Sequence, residues 1–81
     1  MSGPRLLTLV GQPGCHLCHD MRRIADDVAA PLGFVVEERD VRDRDEWARY
    51  LLEIPVLLCG AREVARHRTT PHELARILRA L

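Results

Sequence analysis

The hydrophobic period of the chain changes within a few residues of Gly11, and that change constrains the fold more than any other feature. Arg5-Leu6-Leu7-Thr8-Leu9-Val10 is a short apolar run closed by Gly11, Pro13 and Gly14. A run of that kind bounded by turn formers reads as a buried strand and a turn. From Cys15 onward the apolar residues recur at helical steps. Leu17, Met21, Ile24 and Val28 follow one another with Ala25 beside them, and Asp20, Arg22, Arg23, Asp26 and Asp27 take the other faces. The pattern predicts an amphipathic helix of about four turns, ended by Pro31 and Gly33. Two cysteines, Cys15 and Cys18, stand at the junction between the two periods.

The remaining elements are shorter. Phe34-Val35-Val36-Glu37-Glu38 reads as a second strand running into a charged loop at residues 39–45. Trp47, Tyr50, Leu51 and Ile54 suggest a short second helix, with Asp43 or Asp45 as its cap. Pro55-Val56-Leu57-Leu58-Cys59 is the most apolar run and reads as a central strand. Gly60-Ala61 turns it, and Glu63-Val64-Ala65-Arg66-His67 returns antiparallel. Thr70-Pro71-His72-Glu73 offers a capping box with proline at the first helical position, followed by Leu74, Ile77, Leu78 and Leu81 on one face. The order β-α-β-α-β-β-α predicts an α/β domain over residues 1–81, with a parallel first pair, a right-handed crossover and helices on both faces. The cysteines then lie at the C-terminal end of the first strand, where open α/β sheets place their sites.

Composition removes several function classes. The chain has 81 residues, of which 47% are hydrophobic and 30% charged, an ordinary globular mixture. Twelve basic residues, all arginine, balance twelve acidic ones. Zero net charge gives no electrostatic reason to expect nucleic acid or an anionic membrane as partner. Residues 1–5 lead into only a short apolar stretch before Gly11, too short for a signal-peptide core or a membrane span. A cytosolic protein is the expectation. Three cysteines in a reducing compartment point to catalysis or metal binding rather than a disulfide framework.

The string Gly11-Gln12-Pro13-Gly14-Cys15-His16-Leu17-Cys18-His19-Asp20 can be spelled three ways: as half a zinc site, as a c-type haem attachment ending in His19, or as a redox dithiol. Haem attachment is at odds with the two strands and hairpin, and Met21 is too close to His19 to be the opposite ligand. Zinc requires four ligands. Cys15, His16, Cys18 and His19 cannot all converge from one turn, and Cys59 falls at the far end of its strand. Cys59 itself reads as a buried strand cysteine packing as a small hydrophobe. Trp47 and Tyr50 read as core and rim packing, and Arg66 and Arg68 as a solvated strand edge.

With these elements in place the chain resembles the thioredoxin-fold glutaredoxin-like proteins, most closely a short bacterial glutaredoxin-like group. That family carries a strand, Pro-Gly-Cys-x-x-Cys, a helix, and later a strand entered through a proline. The matching residues are Gln12-Pro13-Gly14-Cys15-His16-Leu17-Cys18 and Ile54-Pro55-Val56, and the resemblance spans nearly the whole length. It implies thiol–disulfide exchange with Cys15 as nucleophile and Cys18 as resolving thiol. It further implies a cis peptide bond before Pro55, with Ile54, Pro55, Pro13 and Gly14 docking the substrate.

The residues themselves suit that chemistry. Cys15 and Cys18 are three apart at a helix start, so both sulfurs fall on nearly the same face. Free N–H groups and the helix dipole favour a thiolate at that position, where cysteine pKa values drop from about 8.5 to roughly 3.5–7.5. His16, between the cysteines, is a candidate for tuning Cys15. No cofactor or metal is required. Glutathione is a candidate co-substrate against which three departures argue. The chain has no lysine near the cysteines, Ala65-Arg66-His67-Arg68-Thr69-Thr70 replaces a Gly-Gly-x-Asp-like segment, and the Glu53 carboxylate is expected to repel glutathione's carboxylates. The expected partners are a disulfide-bearing protein or small thiol, with the reductant either glutathione or a reductase-like protein, and a monomer is expected. The alternative is a non-catalytic module holding an iron–sulfur cluster between two chains, or one that only docks partners.

Overall fold

The computed structural model describes residues 5–81, so the reading of residues 1–4 lies outside the described residues. β1 (Arg5–Gly11) leads into α1 (His16–Ala29), and a 3-10 turn (Ala30–Leu32) returns the chain to β2 (Phe34–Asp40). Two short 3-10 helices (Val41–Asp43 and Asp45–Tyr50) precede β3 (Val56–Cys59). β4 (Arg62–Arg66) and α2 (Pro71–Arg79) complete the order. The strands form one mixed sheet, β2-β1-β3-β4. β1 and β2 are parallel from Arg5 opposite Phe34 to Gly11 opposite Asp40. β3 runs antiparallel to β1 with Val56 opposite Val10, and β4 runs antiparallel to β3. The expected α/β class, parallel first pair and closing hairpin are all present.

Alternation along the strands divides the apolar residues between two clusters. On one face Leu7, Leu9, Phe34 and Leu57 meet Met21, Ala25 and Ala29 of α1 and Leu74 and Leu78 of α2. On the other, Val10, Val56 and Leu58 meet Val41, Trp47 and Tyr50. Helices were expected on both faces. Instead both α-helices share the first face, and only the 3-10 segments cover the second. That cover reaches the Val10 end alone, so Leu6 and Val35, register partners on the same face, stay half-exposed. Trp47 and Tyr50 are buried in the second cluster as core residues. Among the described residues no helix is long and apolar enough to cross a membrane.

Three local expectations are corrected. In α1 the buried line is Cys18, Met21, Ala25 and Ala29, one position round from the line of bulky residues. The alanines allow the helix backbone to approach the sheet closely, which leaves Leu17, Ile24 and Val28 half-buried along the flanks. The predicted short second helix is a 3-10 segment, Asp45–Tyr50, and a further 3-10 turn, Val41–Asp43, falls within the predicted charged loop. Trp47 N–H donates to the Arg44 carbonyl and Leu51 N–H to that of Ala48, both at 3.1 Å. A repeat of three residues per turn puts Trp47 and Tyr50 on the same side and leaves Leu51 and Leu52 exposed. Neither Asp43 nor Asp45 caps the Trp47 segment. Asp40 and Asp43 instead cap the preceding 3-10 helix reciprocally: Asp40 Oδ1 accepts from Arg42 N–H at 2.9 Å, and Asp43 Oδ2 accepts from Asp40 N–H at 3.2 Å.

At α2 one half of the expected capping box forms. Thr70 Oγ1 accepts from Glu73 N–H at 3.1 Å, but the Glu73 carboxylate accepts from Arg76 rather than turning back to the cap.

Two predictions follow from this packing. Leu74 is fully buried between α2 and the sheet, so Leu74→Ala should lower unfolding free energy by about 2–5 kcal/mol in urea titrations. The side-chain and backbone hydrogen bonds from Arg42 hold the Asp40 carboxyl at about 2, below its ordinary 3.8. A carboxyl depressed in the folded state stabilises the fold above its unfolded pKa, and that contribution disappears as pH falls through the folded one. Urea midpoints should therefore drop between about pH 4 and pH 2, and Asp40→Asn should flatten part of that drop.

Candidate functional site

The sulfur pair sits where β1 hands over to α1. Pro13 and Gly14 make the turn, and Gly14 has φ +79, a left-handed conformation that glycine adopts without steric penalty. Cys15 follows in extended conformation as the N-cap of α1, and its Sγ accepts the Cys18 backbone N–H at 3.1 Å. A sulfur therefore takes the role that a serine or aspartate oxygen ordinarily fills. No acidic residue stands in the first turn of α1 to oppose negative charge there. The two cysteines have Cα atoms 5.2 Å apart, and their sulfurs lie near disulfide distance. Cys15 is partly exposed, whereas Cys18 is buried at 1% exposure.

Gly11 explains how Cys18 reaches that depth. A Cβ built on Gly11 would lie 2.7 Å from Cys18 Sγ and 3.1 Å from Cys18 Cβ. Real side chains do not approach so closely, so the bare backbone at the end of β1 is the space that Cys18 occupies. The sequence marked Gly11 only as a turn former. Its role against Cys18 is invisible until strand and helix are docked, although a glycine ending a buried strand two residues before a Pro-Gly turn was a visible signal of close approach.

Around Cys15 the surface forms an open cleft lined by Gln12, Pro13, Gly14, His16, His19, Arg22 and Glu38. His16 and His19 both line this cleft with Cys15. Arg22, which the sequence did not single out for the site, pairs with Asp26 and with its cleft neighbour Glu38. Among the described residues no three His, Cys, Asp or Glu side chains come together as a metal site. Cys59 is a free, half-buried cysteine at the end of β3, packed against the first core cluster.

The Ile54–Pro55 bond is cis. Val56 pairs with Val10, so the ladder brings Pro55 to the sheet end that Gly11 and the cysteines occupy. Pro55 is buried, and Ile54 packs against the Trp47–Tyr50 cluster. Neither residue lines the Cys15 cleft. Glu53 was expected to repel an incoming carboxylate, but its Oε1 accepts from Arg66 Nη1 at 3.1 Å and lies 2.9 Å from His67 Nε2. Arg66 also binds Glu63, so one guanidinium is shared between the two carboxylates. A second, larger hollow separates α1 from the β4–α2 connection. Leu17, Met21 and Ile24 lie on one side of it and His67, Arg68 and Thr70 on the other.

Gly11→Ala should overpack this junction and destabilise the protein by about 1–3 kcal/mol in urea unfolding. Gly14→Ala, where no atom lies within 4 Å of the added carbon, should strain only the turn.

The family model described as glutaredoxin-like domain (DUF836) matches residues 6–79, and the chain belongs to that family. No curated protein matches it. A glutaredoxin-like domain carrying a Cys15–Cys18 pair fits a redox-type role.

Proposed function

We propose that this member of the glutaredoxin-like family is a thiol–disulfide oxidoreductase that works through Cys15 and Cys18. The observation that carries the reading is the asymmetry of the pair: Cys15 caps α1 at the surface, and Cys18 is buried one turn deeper. A sulfur at a helix N-cap is stabilised as thiolate by the N–H groups and dipole it faces, and the thiolate is the species that attacks disulfides.

In the forward direction the Cys15 thiolate attacks a substrate disulfide. A Cys15–substrate disulfide forms and the other substrate sulfur leaves as thiolate. Cys18 then attacks Cys15 Sγ, expels the second substrate thiolate and closes the Cys15–Cys18 disulfide. Two electrons pass from the dithiol to the substrate. A thiol reductant, either glutathione or a reductase-like protein, restores the dithiol by the same steps reversed. The short cap geometry supports the second step, because Cys18 lies beside Cys15 without movement of the helix. His16, at the edge of the cleft, would strengthen the thiolate when protonated. The Ile54-Pro55 segment and the Pro13-Gly14 turn supply backbone for substrate docking. No bound cofactor takes part.

Cys18→Ser is expected to accumulate mixed disulfides through Cys15, seen by non-reducing electrophoresis and mass spectrometry. The Cys15 thiol in this variant should titrate within the range of roughly 3.5–7.5 typical of helix-capping cysteines. Titration near 8.5, together with an empty trap, would rule the exchange reading out. Visible absorption after anaerobic purification would instead favour an iron–sulfur cluster held between chains.

A further inference from the structure

Among the described residues His67 is the one non-glycine residue with positive φ, at 62°. Left-handed backbone is uncommon outside glycine, and histidine is one of the residue types that adopt it more often. It persists where surrounding contacts hold it, and here they join a single loop. His67 N–H donates to the Pro55 carbonyl at 2.8 Å. His67 Nε2 donates to Glu53 Oε1 at 2.9 Å. The same oxygen accepts from Arg66 Nη1 at 3.1 Å, and the other arginine N–H groups fork onto Glu63. Residues 53–55 are thus tied by backbone at one end and by side chain at the other to two consecutive residues at the end of β4. Ile54 lies between the two anchors. The same His67 also walls the hollow beside α1.

We propose that His67 is a positioning residue for the Ile54-Pro55 segment and so selects disulfides carried on extended peptides over small ones. The inference rests on the thiol–disulfide reading above. On the docking role proposed above for the Ile54-Pro55 segment, an extended peptide pairing with its backbone must find that backbone already in place, because ordering a loop at the moment of binding subtracts from affinity. A small disulfide makes no such pairing and meets only Cys15. In this left-handed conformation the N–H and the ring of His67 reach opposite ends of a three-residue segment.

The test uses the reduced full chain and two probes. One is a short extended peptide whose central cysteine forms a mixed disulfide with thionitrobenzoate, and the other is the symmetric bis-thionitrobenzoate disulfide. With the peptide, the Cys15 thiolate attacks the peptide sulfur and expels coloured thionitrobenzoate. Cys18 then attacks Cys15 Sγ and releases the peptide thiol. His67→Gly retains a residue suited to positive φ but removes the ring. Glu53→Ala removes the acceptor, and Glu53→Gln keeps an acceptor oxygen.

The peptide-to-small-disulfide ratio of second-order rate constants should fall about tenfold in His67→Gly and in Glu53→Ala, and stay within about twofold of the parent in Glu53→Gln. An unchanged ratio in both His67→Gly and Glu53→Ala overturns the positioning role while leaving the exchange reading intact. A parent protein that releases no more thionitrobenzoate than its Cys15→Ser variant, from either probe, overturns both.

Discussion

The cysteine-bearing end of this protein depends on the contact between the bare backbone of Gly11 and the side chain of Cys18. The carbon that any other residue would place at position 11 falls 2.7 Å from Cys18 Sγ, inside the space the sulfur occupies. Because that carbon is absent, α1 starts flush against the end of β1. Cys18 is buried, and Cys15 is left at the N-cap facing solvent. The difference between the two sulfurs, one reachable and one withheld, follows from that single close approach.

The sheet then brings the other parts to the same end. β1 is flanked by β2 and β3, so its C-terminal end meets Glu38 and Asp40 on one side and Pro55 on the other. The two apolar clusters fix the ladder from opposite faces. α1 and α2 seal the first, and the Trp47–Tyr50 segment covers the second only near Val10 and Val56. That partial cover lies at the cysteine end, where Ile54 packs against it, and leaves Leu6 and Val35 half-exposed farther along. Charged side chains nearby are paired: Glu53 accepts from Arg66 and His67, and Arg22 bonds Asp26 and Glu38.

Legibility in the sequence followed the range of the interaction. The β1 run, the Pro-Gly turn, the Thr70 cap and the Leu74–Leu78 face are local patterns, and each was found where it was predicted. The errors arose where a partner in space outweighed a pattern in the chain. The bulky residues Leu17, Ile24 and Val28 suggested one face for α1, but Ala25 and Ala29 allow a closer approach and occupy the contact. Trp47 and Tyr50 were expected on an α-helix, yet their shared side in the second cluster is served by three residues per turn. Arg39 and Asp40 continue β2 although their charges suggest a loop, because β1 offers a parallel ladder to pair with. The Glu53 pairing joins residues fourteen apart in the chain, and no periodicity reports such a contact.

By itself the sequence determined the order of elements, the placing of Cys15 and Cys18 at a strand-to-helix junction, and the family to which the chain belongs. These rest on turn chemistry, helical period and capping, all of which act within a few residues. Tertiary structure alone decided how Cys18 comes to be buried, what Gly11 is for, and how His67 reaches Glu53 and Pro55. Those outcomes depend on distances between segments far apart in the chain, and only packing the helices and turns onto one sheet sets them.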